Sequence, residues 1–117
     1  MTEKIVEGVP VSDLSWDARG LIPVIVQDKD TLEVLMLAYA NRRALQLSLE
    51  RGETWLWSRS RGTLWHKGAT SGNTQRICEI RVDCDTDTLL FLVDPAGPAC
   101  HTGATSCFYR NLDVDRD

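Results

Sequence analysis

At 117 residues the chain suits a single domain, because two independent cores would each be too small to hold together. Hydrophobic residues make up 43% and charged residues 26%, which sets it apart from disordered chains, and a net charge of −4 argues against a broad basic face for DNA or RNA. The opening MTEKIVEGVP lacks the layout of a secretory signal, and no apolar run approaches the ~20 residues that span a bilayer, so a cytoplasmic protein with no membrane partner is expected.

Taken in chain order, the first elements are two β-rich apolar runs, LIPVIVQ (21–27) and TLEVLMLA (31–38), joined by the polar DKD of a hairpin. Pro23 cannot donate to a ladder, which predicts an edge strand or a bulge there. Asn41 is an N-cap, and Ala44, Leu45, Leu47 and Leu49 form an apolar stripe that ends at Arg51 and Gly52, which predicts a helix over about 42–51. TWLWS (54–58) alternates again, with Trp55 and Trp57 sharing a face. The Gly-, Ser- and Thr-rich stretch from Arg59 to Gln75 reads as a long ordered loop. From 76 to 87 a strand would place Cys78, Ile80, Val82 and Cys84 on an apolar face and Glu79, Arg81, Asp83, Asp85 and Asp87 on the other. TLLFLV (88–93) is a buried strand, DPAGP a turn, TSCFYR (105–110) a last strand and 111–117 a polar tail. The expected class is α+β, with a mostly antiparallel twisted sheet and one main helix, in one domain over 1–117.

Three groups of residues carry chemistry. Cys84, Cys100 and Cys107 would suit zinc, with a fourth position left for water, although the spacing has no Cys-x-x-Cys pair and by itself reads more readily as isolated, inert thiols. Asp83, Asp85 and Asp87 are hard oxygen donors for magnesium, or else a solvated acidic edge that deters strand pairing. A calcium loop is set aside, since Thr88 stands where that loop needs glycine. A flat strand would separate alternate carboxylates by about 6.6 Å, so the strand is expected to twist or end at the aspartates. Arg59, Arg61 and Lys67, among Ser58, Ser60, Thr70, Ser71 and Asn73, suit a phosphate or ribose phosphate; a solvated loop is the plain alternative. Trp57 and Trp65 would stack on a base or fill the core. His101, beside Cys100, is a candidate general acid or base or a fourth ligand.

Five segments, GLIPVIVQD, VLMLAYAN, WSRSRGTLWHKGATSGNTQ, DCDTD and ACHTGATSCFYR, stand in the order and spacing of the phosphoribosyl-AMP cyclohydrolase family, which the chain resembles over about residues 15–110. The resemblance implies hydrolytic opening of the purine ring of phosphoribosyl-AMP between N1 and C6, a step of histidine biosynthesis. It implies an intertwined homodimer with one zinc per subunit at the interface, held by Cys100 and Cys107 with Cys84 of the partner subunit. Magnesium would lie on Asp83, Asp85 and Asp87, His101 would transfer a proton, and Arg59, Arg61, Lys67, Ser60, Thr70, Ser71 and Asn73 would receive the substrate. The rival reading is a non-catalytic, zinc-stapled homodimer that binds a nucleotide. Many relatives carry a fused phosphoribosyl-ATP pyrophosphohydrolase domain, for which this chain is too short. Relatives usually have an acidic residue where this sequence has Ala69, and often methionine where it has Ala40.

Overall fold

The computed structural model describes residues 8–114; of the expected tail, positions 115–117 lie outside them. A short 3-10 turn, Val11–Asp13, leads to strands β1 (Ile22–Asp28) and β2 (Val34–Ala40), helix α1 (Arg42–Arg51), and strands β3 (Trp55–Ser58), β4 (Thr63–His66), β5 (Gln75–Val82) and β6 (Leu89–Pro95). They form one sheet in the order β4-β3-β2-β1-β6-β5. Four neighbouring pairs are antiparallel and β1–β6 is parallel, so the α+β class stands and the sheet is mixed.

The parallel pair overturns the reading of Pro23. β1 lies in the middle of the sheet, and Pro23 is tolerated because the ladder to β6 starts only at Val24. Alternation holds along β1, where Ile22, Val24 and Val26 are fully buried. The link to β2 is longer than DKD, and Leu32 turns it with φ 64°.

The helix begins and ends as its caps dictate: the Asn41 side chain accepts from the Ala44 N–H at 2.8 Å, and Gly52 closes the last turn at φ 73°. Its buried face is Ala44, Leu45, Leu47 and Ser48, while Leu49, expected in the stripe, is 55% exposed. At 100° per residue Leu49 lies about 100° around the helix from Ser48, at the border of that face. Ser48 takes the inward slot because its hydroxyl bridges to β3, accepting from the Trp55 N–H at 2.9 Å.

The sheet curls until the residues ahead of β3 meet β5: Glu53 bridges Arg76, and Thr54 N–H donates to Gln75 O at 3.0 Å. Three sequence readings change. The stretch taken as a loop contains β4, paired with β3 through a turn at 59–62 that Gly62 closes onto Ser58 O. β5 bulges between Ile77 and Glu79, which leaves Cys78 exposed, not on the apolar face, and turns both Ile77 and Ile80 toward the core. No strand forms at 105–110; Ser106 instead pins that segment to β2 by donating to Val34 O at 2.6 Å, and Cys107 N–H donates to Leu35 O at 2.7 Å. Among the described residues no helix is long and apolar enough to cross a membrane.

Candidate active site

The loop after β4 is folded against the loop after β6. Gly68, buried and at φ +86°, lies so close to the Asn73 backbone that a Cβ there would come within 2.3 Å of it. Gly97 packs just as tightly on the Asn73 side chain, Ala96 N–H donates to Thr74 O at 2.9 Å, and the Lys67 ammonium donates to Ala99 O. The two loops enclose a cavity of about 430 Å³ lined by Arg61, Lys67, Thr70, Ser71, Asn73, Cys100 and His101. Most of the substrate set read from the sequence is thus brought beside one of the zinc-ligand candidates.

Cys100 and Cys107 are neighbours, because the backbone turns back at Cys100–Ala104 and Ser106 anchors the far side. The Thr102 hydroxyl donates to Cys100 Sγ at 3.0 Å and, together with the Thr102 backbone, Cys107 and Lys67, holds the Cys100 thiol below its usual pKa. Burial pushes the Cys107 thiol up, and the negative charge of Cys100 adds to this. Of the two thiols Cys100 is therefore the easier to ionise, and a soft cation would favour the thiolate of both. Thr102 was not singled out from the sequence; a hydroxyl two residues after a cysteine gives no signal without the fold.

The strand does end at the aspartates, as the carboxylate spacing required. β5 stops at Val82 and residues 83–88 form a tight turn, in which Asp83 N–H donates to Thr88 O and Thr86 takes φ 59°. Ligand oxygens of Asp83, Asp85 and Asp87 then lie within 4.8 Å of one another. Burial raises the Asp83 carboxyl, but hydrogen bonds from Asp87 and Thr88 outweigh it and leave Asp83 below the usual range. The hydrogen bond with Asp83, burial and Asp83's charge push Asp87 up. Among the described residues this is the one set of three or more such ligands; Cys84, though in the turn, does not join Cys100 and Cys107, nor does His101 complete a trio with them.

Arg59 and Ser60 are not in the thiol cavity. They line a second cavity, of about 500 Å³, with Arg19, Tyr39, Trp57 and Trp65, and Trp65 is common to both. The Arg59 guanidinium stacks 3.9 Å from the centre of the Tyr39 ring. Sequence reasoning missed Arg19, which sits far from the Ser/Arg loop, and the pair formed by His66 Nε2 and Glu53 Oε1 at 2.7 Å, in which the His66 ring stacks on Trp55.

The family profile described as phosphoribosyl-AMP cyclohydrolase matches residues 36–109. A phosphoribosyl-AMP cyclohydrolase of Lacticaseibacillus casei is 61% identical over 105 residues, which cover 89% of this chain and 96% of that protein. The one from Archaeoglobus fulgidus is 61% identical over 103 residues, covering 88% and 95%. A histidine biosynthesis bifunctional protein HisIE of Caldanaerobacter subterraneus is 56% identical over 109 residues, 93% of this chain but 53% of that longer protein. With the profile spanning more than half of its length and such relatives covered almost end to end, the chain belongs to the phosphoribosyl-AMP cyclohydrolase family.

Proposed function

We propose that this chain hydrolyses the N1–C6 bond of the adenine ring in 1-(5-phosphoribosyl)-AMP, giving the formimino-aminoimidazole-carboxamide ribotide of histidine biosynthesis. The observation that carries the reading is one cavity that joins the Cys100 side of a thiol pair, His101 and the Lys67–Asn73 donors, in a chain of this family.

The donor sets fit two metals of different character. Cys100 and Cys107 would hold zinc, and the lowered pKa of Cys100 favours the thiolate that zinc requires. Zinc bound there would acidify a water toward neutral pH and so supply the nucleophile. Two thiols are one short of the expected three, and Cys84 of the partner subunit would complete them, which supports a homodimer with zinc at its interface. Asp83, Asp85 and Asp87 would hold magnesium, since their oxygens already converge.

The chain's own groups do the rest. N1 ribosylation leaves the ring easily protonated and therefore electrophilic at C6, so the site must chiefly orient the ring and move protons. His101, on the cavity wall but outside the thiol pair, would hold the proton that passes to the ring nitrogen as the bond opens. That placement also weighs against a closed structural site with His101 as the fourth ligand. Lys67 and Arg61 would neutralise a phosphate, and Thr70, Ser71 and Asn73 would donate to phosphate or ribose oxygens. A reducing cytoplasm suits thiols kept free for metal. Incubating the purified protein with phosphoribosyl-AMP, zinc and magnesium should give the ultraviolet change of ring opening; intact substrate at the end of the reaction would overturn the reading.

A further inference from the structure

We propose that the cavity between Arg19 and Arg59 is a second anion site of the same active centre and receives the 5′-phosphate of the AMP half of the substrate. This rests on the ring-opening reading. The substrate has phosphoribosyl groups on N1 and on N9, so it presents two phosphates on opposite edges of the purine. Each needs its own cations, because one cluster cannot neutralise both without bringing the two charges together.

The structure divides the cations in just this way. The sequence places Arg59, Ser60, Arg61 and Lys67 in one run, yet the hairpin turn sends Arg61 and Lys67 to the thiol cavity and Arg59 and Ser60 to the other. Arg19 joins Arg59 from the turn ahead of β1, and no acidic side chain is among the described residues lining that cavity. Asp17 lies near enough for its charge to act on both arginines, but it does not line the cavity, and its Oδ1 accepts from the backbone N–H groups of Arg19 at 2.8 Å and Leu21 at 2.9 Å, so two cations face one carboxylate there. Stacking on Tyr39 occupies the face of the Arg59 guanidinium and leaves its in-plane N–H groups for an anion. The hydroxyls of Ser58 and Ser60, 3.5 Å apart in the same wall, add donors.

Chemistry assigns the arms. The attacked C6 adjoins N1, so the N1 arm leaves from beside the reacting bond and stays with Lys67 and Arg61 near Cys100 and His101. N9 lies at the far end of the purine, and its arm leads across Trp65, the wall shared by the two cavities.

The test uses the metal-loaded full chain with Arg19→Ala and, separately, Arg59→Lys. Arg19 is exposed and its backbone, not its side chain, bonds Asp17, so folding should be retained, as circular dichroism would verify. Loss of a charge-assisted phosphate contact should raise the KM for phosphoribosyl-AMP about tenfold, with kcat within about twofold. Inhibition by AMP should weaken by the same factor, while inhibition by adenosine, which lacks the phosphate, should not change. An unchanged KM would overturn the proposal. So would a raised KM with unchanged AMP inhibition, which would place the N1 arm here, or an equal loss for adenosine, which would mean that the contact is not to phosphate. No turnover by the unaltered protein would instead sink the ring-opening reading, and the AMP-against-adenosine comparison, made by calorimetry, would still judge the anion site.

Discussion

Ser48→Ala tests how the helix holds the sheet that carries the site. Ser48 is 1% exposed; its hydroxyl accepts from Trp55 N–H at 2.9 Å and lies 3.1 Å from Trp55 O and 3.0 Å from Ala44 O, to one of which it donates. Alanine would leave the Trp55 N–H facing a methyl group with no room for water. A stranded buried donor costs about 1–3 kcal/mol, and losing the donated bond adds about 1 kcal/mol. Alanine's better helix propensity returns about 0.5 kcal/mol, which leaves a net loss of about 1.5–3.5 kcal/mol. Urea denaturation at one fixed protein concentration should show it as a midpoint lowered by about 1–2 M, for a slope of about 2 kcal/mol per M. Gln46→Ala, on the exposed side of the same helix, should change stability by less than about 0.5 kcal/mol. Amide exchange should quicken selectively over Trp55–Ser58, the strand that leads into Arg59. A Ser48→Ala loss no larger than that of Gln46→Ala would refute the bridge.

Cys107→Ala should remove both bound zinc, read by metal analysis, and turnover; full activity in a zinc-free variant would contradict the thiol assignment. Gly68→Ala forces a Cβ to within 2.3 Å of the Asn73 backbone at φ +86°, and should cost about 3 kcal/mol of stability or displace the 67–74 loop, seen as a raised KM. The metal-free acidic turn has opposed pH dependences. Asp87, raised, contributes stability that is present below its unfolded pKa and lost as pH rises through its folded pKa; Asp83, lowered, contributes stability present above its unfolded pKa and lost as pH falls through its folded one. Since a cation must displace the Asp87 proton, the rise in melting temperature with added magnesium should fade as pH falls through the raised Asp87 pKa; a rise that grows on acidification would refute the oxygen-donor site.

Local rules made the helix, the alternation of β1 and the end of β5 readable. Asn41 and Gly52 state the helix ends in their own chemistry, and the distance between three carboxylates on a flat strand, if they share one ion, already called for a twist or an end at the aspartates. What stayed hidden depends on partners distant in sequence. Pro23 could be placed in a central strand only once β6 was known to pair from Val24 onward. The bulge at Cys78 comes from the register against β6, and one inserted residue reverses the faces of everything before it. Residues 105–110 have strand composition, but the Ser106 hydroxyl takes the Val34 carbonyl of β2 and Cys107 N–H takes that of Leu35, and the segment lies down without forming a ladder. The zinc candidates were visible as residue types, whereas the separation of Cys84 from Cys100 and Cys107 within one chain followed from the family resemblance and not from spacing.

The resemblance implies an acidic side chain where this chain has Ala69, and the structure shows the charge that alanine meets there. It is exposed on the wall of the thiol cavity, with its N–H donating to His66 O at 3.1 Å. An acidic side chain there would stand among Arg61, Lys67 and an incoming phosphate, competing with that phosphate for the same cations. With alanine, the described residues lining the cavity include no carboxylate, and Glu53 reaches its wall only through the bond to His66. The substitution therefore leaves anion binding by Arg61 and Lys67 unopposed.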